Sequence, residues 1–308
     1  MSTRKICLLG GTGFIGRRLA ARLAEAGHDV VILTRRRERH RGLLVLPTVR
    51  MVEGDVHDPG FLARQFAGRD TVINLVGILN EAGRNGRGFV RVHAELPQKI
   101  VRTCDAAGVK RLLHMSALHA AADAPSYYLR TKAQGEDAAH RAEAEDFHVT
   151  SFRPSVIFGP EDDFLNRFAA LLRLTPGVFP LACPEARFQP VYVEDVVGAF
   201  AESLDSHKTF GERYDLCGPK TYTLREIVTY VARLLDKRVC IIGLNETLSY
   251  LQALSLEFVP GKPFSLDNYR SLQVDSVCDQ GFPEVFGITP TNLEEIAPDY
   301  LGTRSSVH

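Results

Sequence analysis

Three groups of residues in this chain have the types and spacing to do chemistry. The first is Leu8-Leu9-Gly10-Gly11-Thr12-Gly13-Phe14-Ile15-Gly16. It leaves a short apolar run, Lys5 to Leu9, and opens into a stretch where Ile15, Leu19 and Leu23 share a helical face. In a strand–turn–helix context such glycines let backbone N–H groups approach a pyrophosphate, and the third allows close helix–strand packing. The helix N-terminus adds unpaired N–H groups and a positive dipole end. Gly10, Thr12, Gly13, Phe14, Ile15 and Gly16 are therefore the candidate dinucleotide cradle. The second group is Thr34-Arg35-Arg36-Arg37, which ends the next apolar run. An acidic residue there binds a ribose 2′-hydroxyl, whereas an arginine accommodates a 2′-phosphate. Arg35, with Arg36 beside it, thus favours NADP(H) over NAD(H), and the rest of the run to Arg41 reads as a solvated basic loop. The third group is Tyr128 and Lys132, four residues apart and so on one face of a helix. A nearby ammonium lowers a phenol pKa and suits it to proton transfer near neutral pH. The same lysine can hold a nicotinamide ribose.

Smaller signals sit at other strand ends. Gly54-Asp55-Val56 could meet the adenine amino group, or Asp55 could cap the next helix. In Asn74-Leu75-Val76-Gly77 the backbone of Leu75, Val76 and Gly77 would pass the cofactor ribose. The loop from Glu81 to Gly88 reads as solvated.

These residues need a scaffold, and the sequence supplies one. Up to about residue 155 apolar strands alternate with helices. Strands are expected at Asp29–Thr34, Val49–Glu53, Thr71–Val76, Arg111–Met115 and Phe147–Phe152. Continuously apolar strands alternating with helices imply an α/β, doubly wound Rossmann-type parallel sheet covered on both faces. Ligands in such sheets bind beyond the strand C-termini, where every motif above falls. Pro97 predicts a kink or late start in the helix through Leu96, Ile100 and Cys104. Residues 1–155, completed by about 187–206, form the expected dinucleotide-binding domain. Residues 156–186 and 207–308 form a small C-terminal lobe. There Phe188–Val193 reads as a strand, Asp195–Leu204 as a helix, and Thr223-Leu224-Arg225-Glu226 as a capping box. Leu248–Leu256 is apolar and uncharged, compatible with core, a lid or a docking surface.

Composition narrows the function. With 37 basic and 37 acidic residues the formal net charge is zero. No bulk attraction to nucleic acid or anionic membrane follows. No apolar run reaches the roughly 18–20 residues that span a bilayer. The chain runs directly into its first strand, so a cytoplasmic protein without signal peptide is expected. The six cysteines lack Cys-x-x-Cys pairing, which argues for reduced thiols and against a zinc site, so no metal is expected.

Taken together, Gly10-x-x-Gly13-x-x-Gly16, Gly54-Asp55, Tyr128-x-x-x-Lys132 and Arg153-Pro154-Ser155-Val156-Ile157-Phe158-Gly159-Pro160 resemble the extended or atypical short-chain dehydrogenase/reductase superfamily. Tyr128-Leu129-Arg130-Thr131-Lys132-Ala133-Gln134-Gly135-Glu136, Phe158 to Asn166 and Gln189 to Val196 are similar to the nucleotide-binding accessory subunit of respiratory complex I and its stand-alone bacterial relatives. The resemblance implies a tightly held NADPH, used in turnover or as a structural element. It implies a respiratory-complex or membrane-peripheral partner at the inner membrane, and no nucleic acid. It places Pro154 and Val156 against the nicotinamide, Tyr128 as acid/base and Lys132 as ribose anchor. Catalytic members carry a serine at the end of the fifth strand. Here that stretch is Leu113-His114-Met115-Ser116-Ala117-Leu118, and the ungapped position is Ala117, with Ser116 the possible helper. His93 takes the place of the superfamily's asparagine on the fourth helix. His119 could supply another acid/base or be solvated. Phe158, Phe164, Phe168, Phe179, Phe188 and Tyr192 form either interlobe core or a pocket for a quinone-like substrate. Arg167 and Arg187 are the cations available to a sugar-nucleotide diphosphate.

Overall fold

In the computed structural model, residues 3–260 and 262–302 are described. Seven strands build the central sheet: β1 Lys5–Leu9, β2 Asp29–Thr34, β3 Val49–Glu53, β4 Thr71–Asn74, β5 Arg111–Met115, β6 His148–Pro154 and β7 Arg213–Leu216. Their order is β7-β6-β5-β4-β1-β2-β3, and every pair is parallel. The order reverses between β1 and β4, which opens the crevice where ligands of doubly wound sheets sit. β7 extends this sheet beyond the limit at 206 that the sequence suggested.

Both faces are apolar because both are covered. On one, α1 (Phe14–Glu25) lays Leu19 and Leu23 on Ile6, Leu8 and Ile32, beside Val196 and Phe200 of the helix Val193–Glu202. On the other, α2 (Pro59–Phe66) and α3 (Leu96–Ala107) lay Phe61, Leu62, Ile100 and Cys104 on Cys7, Leu9, Val31 and Val72. Pro97 acts as anticipated. A π-helical stretch, Val90–Glu95, precedes α3, and the proline sits in its first turn, where its missing N–H costs nothing. The helix α4 (Tyr127–His140) crosses this segment closely.

The C-terminal lobe has its own core. Leu165, Leu172, Ile227, Val231, Leu293 and Leu301 of three helices close over Phe158, Phe179 and Phe188. Thr223 and Glu226 form the expected capping box, each side chain bonded to the other's backbone N–H. The strand expected at Phe188–Val193 is instead two short ones, Arg187–Phe188 and Val191–Tyr192, with different partners. Pro190 cannot donate to a continuous ladder. The helix Glu246–Leu256 buries Ser249 and Ala253 but exposes Leu248, Tyr250, Leu251 and Leu254, so it is mostly not core. No helix among the described residues is long and apolar enough to cross a membrane.

The expectation of six reduced thiols is overturned. Cys217 and Cys278 form a disulfide across 61 residues of sequence. Cys7, Cys104, Cys183 and Cys240 are free thiols. The pairing is invisible to spacing rules because a crossing strap, residues 274–278, brings the two together. Ser276 exchanges backbone hydrogen bonds with Arg187 and Gln189, Ser155 Oγ donates to Ser276 O at 2.7 Å, and Cys278 N–H donates to Gln189 Oε1 at 3.0 Å. The strap thereby roofs the C-terminal ends of β5, β6 and β7.

Candidate cofactor and proton-transfer site

The cradle is built by contact distances that only glycine satisfies. Gly10 has φ +79°, and a Cβ there would lie 2.9 Å from the Leu75 carbonyl carbon. A Cβ on Gly16 would lie 2.2 Å from Gly10 O. The turn is therefore pressed against both the Leu75–Val76 backbone and α1, leaving the first-turn amides after the N-cap Gly13 facing the crevice. Thr12, Phe14 and Ile15 belong to this turn, with Phe14 also 3.5 Å from a hypothetical Cβ on Gly159. These glycine approaches fit a dinucleotide pyrophosphate.

At the end of β2, Arg35 and Arg36 are exposed, and neither forms an ion pair among the described residues. Thr34 and Glu53 instead engage the backbone of Arg36 and Arg37. Asp55 accepts from His57 N–H at 2.9 Å, while α2 is capped by Asp58, which accepts from Gly60 N–H. Asp55 is thus not the helix cap, and its second oxygen stays open beside the half-buried Val56.

Beyond β4 the chain meets α4. Lys132 is buried, and its ammonium donates to Met115 O at 3.1 Å. A Cβ on Gly77 would come within 3.3 Å of Lys132 Nζ, so backbone and ammonium share one wall. Tyr128 is half-buried one turn earlier, with its ring in edge contact with His93 and Phe89 and 6.0 Å from Lys132 Nζ. Burial pushes the Lys132 ammonium down to about 8 and the Tyr128 phenol up to about 12. The lowering of the phenol expected from a neighbouring lysine does not occur, and burial alone sets the direction. As it stands Tyr128 is a neutral proton donor.

Two histidines behind this pair are fixed neutral. His93 Nε2 accepts from Ile78 N–H at 3.0 Å, which places its proton on Nδ1, 3.2 Å from Thr131 Oγ1. Burial first, then the Lys132 charge, drives its pKa to about 2. Asn74 donates to His114 Nδ1 at 3.2 Å, leaving the buried His114 Nε2 without a partner among the described residues. Burial, again assisted by Lys132, holds His114 at about 3.

Ser116 follows β5 directly, and its buried Oγ has no hydrogen-bond partner among the described residues. Ala117 instead joins Leu129, Tyr128 and Val274 in a small apolar cluster. His119 is not solvated, because its Nε2 lies 2.9 Å from Val277 O on the strap. Pro154 and Val156 flank Ser155 under the same strap. Neither candidate cation for a diphosphate is free. Arg187 pairs with Asp275 at 2.8 Å, and Arg167 donates to Pro263 O.

Two carboxylates were missed in the sequence. Asp267 of the lobe accepts from Tyr127 N–H at 2.7 Å and Tyr128 N–H at 3.0 Å, capping α4 together with Ser126. Nothing in its local sequence marks it. Glu136 lies buried one turn beyond Lys132, a position the i+4 spacing could have flagged.

Fold and site define a dinucleotide-binding α/β protein with a Tyr/Lys pair at the switch point. The chain belongs to the NAD dependent epimerase/dehydratase family, whose family model matches residues 6–217. It is 29% identical to "NADH dehydrogenase [ubiquinone] 1 alpha subcomplex subunit 9, mitochondrial" of Arabidopsis thaliana, over 88% of this chain and 68% of that protein. It is 31% identical to the "NADH-ubiquinone oxidoreductase 40 kDa subunit, mitochondrial" of Neurospora crassa, over 75% and 60%. A ceramide reductase of Caulobacter vibrioides is 32% identical over 62% of this chain and 57% of its own length. The chain thus spans about two thirds of the mitochondrial relatives. Among solved structures, MoeE5 in complex with UDP-glucose and NAD shares the fold at TM-score 0.75, 20% identity and 99% and 100% coverage.

Proposed function

We propose that this protein binds NADP(H) and transfers hydride to or from a small lipophilic, quinone-like substrate. The observation that carries this reading is the Lys132 ammonium, buried against Gly77 and Met115 O, one helical turn from Tyr128. A bound nicotinamide dinucleotide supplies the hydride chemistry. Around it, Gly10, Thr12, Gly13, Phe14, Ile15 and Gly16 receive the pyrophosphate. Arg35 and Arg36 receive the 2′-phosphate, and Asp55 and Val56 the adenine. Leu75, Val76 and Gly77 face the ribose with Lys132, while Pro154 and Val156 face the nicotinamide. Tyr128 passes a proton to the substrate oxygen, and Ser116 lies beside the peptide that holds Lys132. The apolar Ala117–Val274 wall and the engaged Arg167 and Arg187 favour a substrate without a diphosphate.

A second reading has its own support. Ala117 packs where a hydroxyl would activate Tyr128, and the phenol is raised, not lowered. That favours a cofactor-locked structural or assembly protein, in line with the complex I subunits it resembles. Mass spectrometry of nucleotide released from purified protein, followed by a quinone panel, separates the two. Stoichiometric NADPH consumed by a quinone, with at least ~100-fold loss in Tyr128→Phe, supports the enzyme. Stoichiometric but inert NADPH supports the structural role. Absence of any bound or binding dinucleotide overturns both.

A further inference from the structure

Along α4, Tyr128, Lys132, Glu136 and His140 repeat every fourth residue and form one column facing β5 and β6. The third member is 1% exposed. Arg153 of β6 donates from Nε to both Glu136 oxygens at 3.0 Å and adds a third bond from its terminal nitrogen. Arg213 of β7 donates from Nε at 2.7 Å. The two arginines stand on neighbouring, register-aligned strands, where Arg213 pairs with Ser151 and Asp215 with Arg153. Outside them, Asp215 lies 4.0 Å from Arg153 and Asp137 4.0 Å from Arg213. Charge therefore alternates from Lys132 through Glu136 and the two guanidiniums to exposed carboxylates.

We propose that Glu136 is a positioning residue for Lys132: fixed by Arg153 and Arg213, it is the buried anion that keeps the Lys132 ammonium charged and aimed at the nucleotide. This rests on the reading of Lys132 given above. Every other group facing Lys132 is neutral or repels it. From the π-helical segment comes His93, from β5 His114 and the Met115 carbonyl, from α4 the Tyr128 ring, and from the β4 loop only Gly77 backbone. Among the described residues Glu136 is the one carboxylate acting on the Lys132 charge, and it opposes the effect of burial. Around Glu136 stand Arg153, Arg213, Ser116, His114 and His140. Although burial opposes it, the hydrogen bonds and charge of Arg153 hold the carboxyl below its usual range, so the anion persists.

The test uses NADPH as probe, with its affinity read from bound-nicotinamide fluorescence between about pH 6 and 9. Four proteins are compared: wild type, Glu136→Gln, Lys132→Met and the double variant. Wild-type affinity should fall above about pH 8, the region of the Lys132 pKa. In Glu136→Gln that fall should begin roughly one pH unit earlier, a roughly fivefold loss of affinity at the wild-type midpoint that approaches tenfold at higher pH. In the Lys132→Met background, Glu136→Gln should change nothing beyond about twofold, which a purely structural role would not predict. Should Glu136→Gln not fold, Arg213→Gln serves: with one cation fewer on Glu136, the midpoint should rise. An unshifted pH limb in Glu136→Gln or Arg213→Gln, or a loss equally large without Lys132, overturns the proposal and leaves the cofactor reading standing. Affinity indifferent to Lys132→Met removes both.

Discussion

Arg35 and Tyr128 illustrate what single side chains can and cannot declare. Arg35 is exposed and without an ion pair among the described residues, so substituting it disturbs no internal contact. Arg35→Ser should lower NADPH affinity roughly tenfold and leave NADH affinity within about twofold, measured by fluorescence titration with each nucleotide. Equal loss for both nucleotides would mean the side chain acts elsewhere. Tyr128 and Lys132 were legible because their spacing reports a shared helical face. The sign of their pKa shifts was not, because burial is a tertiary property. Ala117 shows the limit in another way. Its alignment position could be read from the chain, but only the fold reveals that it shares an apolar cluster with Tyr128.

The elements were read more securely than their ends. β2, β3 and β5 fall where apolar runs bounded by turn residues placed them. β7 was missed because Arg213-Tyr214-Asp215-Leu216 is a half-exposed edge strand, without the continuous apolar signal of a central one. The strand at 188–193 split because Gln189 and Pro190 turn toward a strap 87 residues further on, where Ser276 lies. The placement of α4 depends on a glycine that local sequence does not explain. A Cβ on Gly135 would lie 1.9 Å from His93 O. Gly135→Ala should therefore push α4 off the π-helical segment, costing roughly 2–3 kcal/mol in urea unfolding. It should also weaken NADPH binding, because His93 holds the Ile78 amide beside the site. A neutral outcome would show that the two helices separate freely.

At the scale of the whole molecule, the buried histidines make stability a function of pH. His93 and His114 have folded pKa values of about 2 and about 3, against 6.5 when unfolded. Depressed folded values mean that the unfolded chain binds the extra protons. Stability is thus complete above about pH 7 and is lost as pH falls below 6.5. Between about pH 5.5 and 4 these two histidines alone should contribute a loss of roughly 2.7 kcal/mol per pH unit, to which His140, held at about 4, adds, readable as a falling urea midpoint. A flat midpoint across that window would show that the histidines gain water or partners on protonation. The disulfide acts in the same global way. Closing a loop across 61 residues restricts the unfolded chain by about 4 kcal/mol. Reduction by a phosphine should then lower Tm by about 6 °C, and Cys278→Ser should reproduce that shift with no further effect of reductant.

That bond also imposes an order on how the molecule comes into being. The seventh strand ends at Leu216, and Cys217 follows at once. During synthesis the complete sheet can assemble while the roof over its edge is still untranslated. At about 5–20 residues per second, Cys217 waits some ~3–12 s for its partner to be made. For that interval the C-terminal ends of β5, β6 and β7 lack the strap that later crosses them.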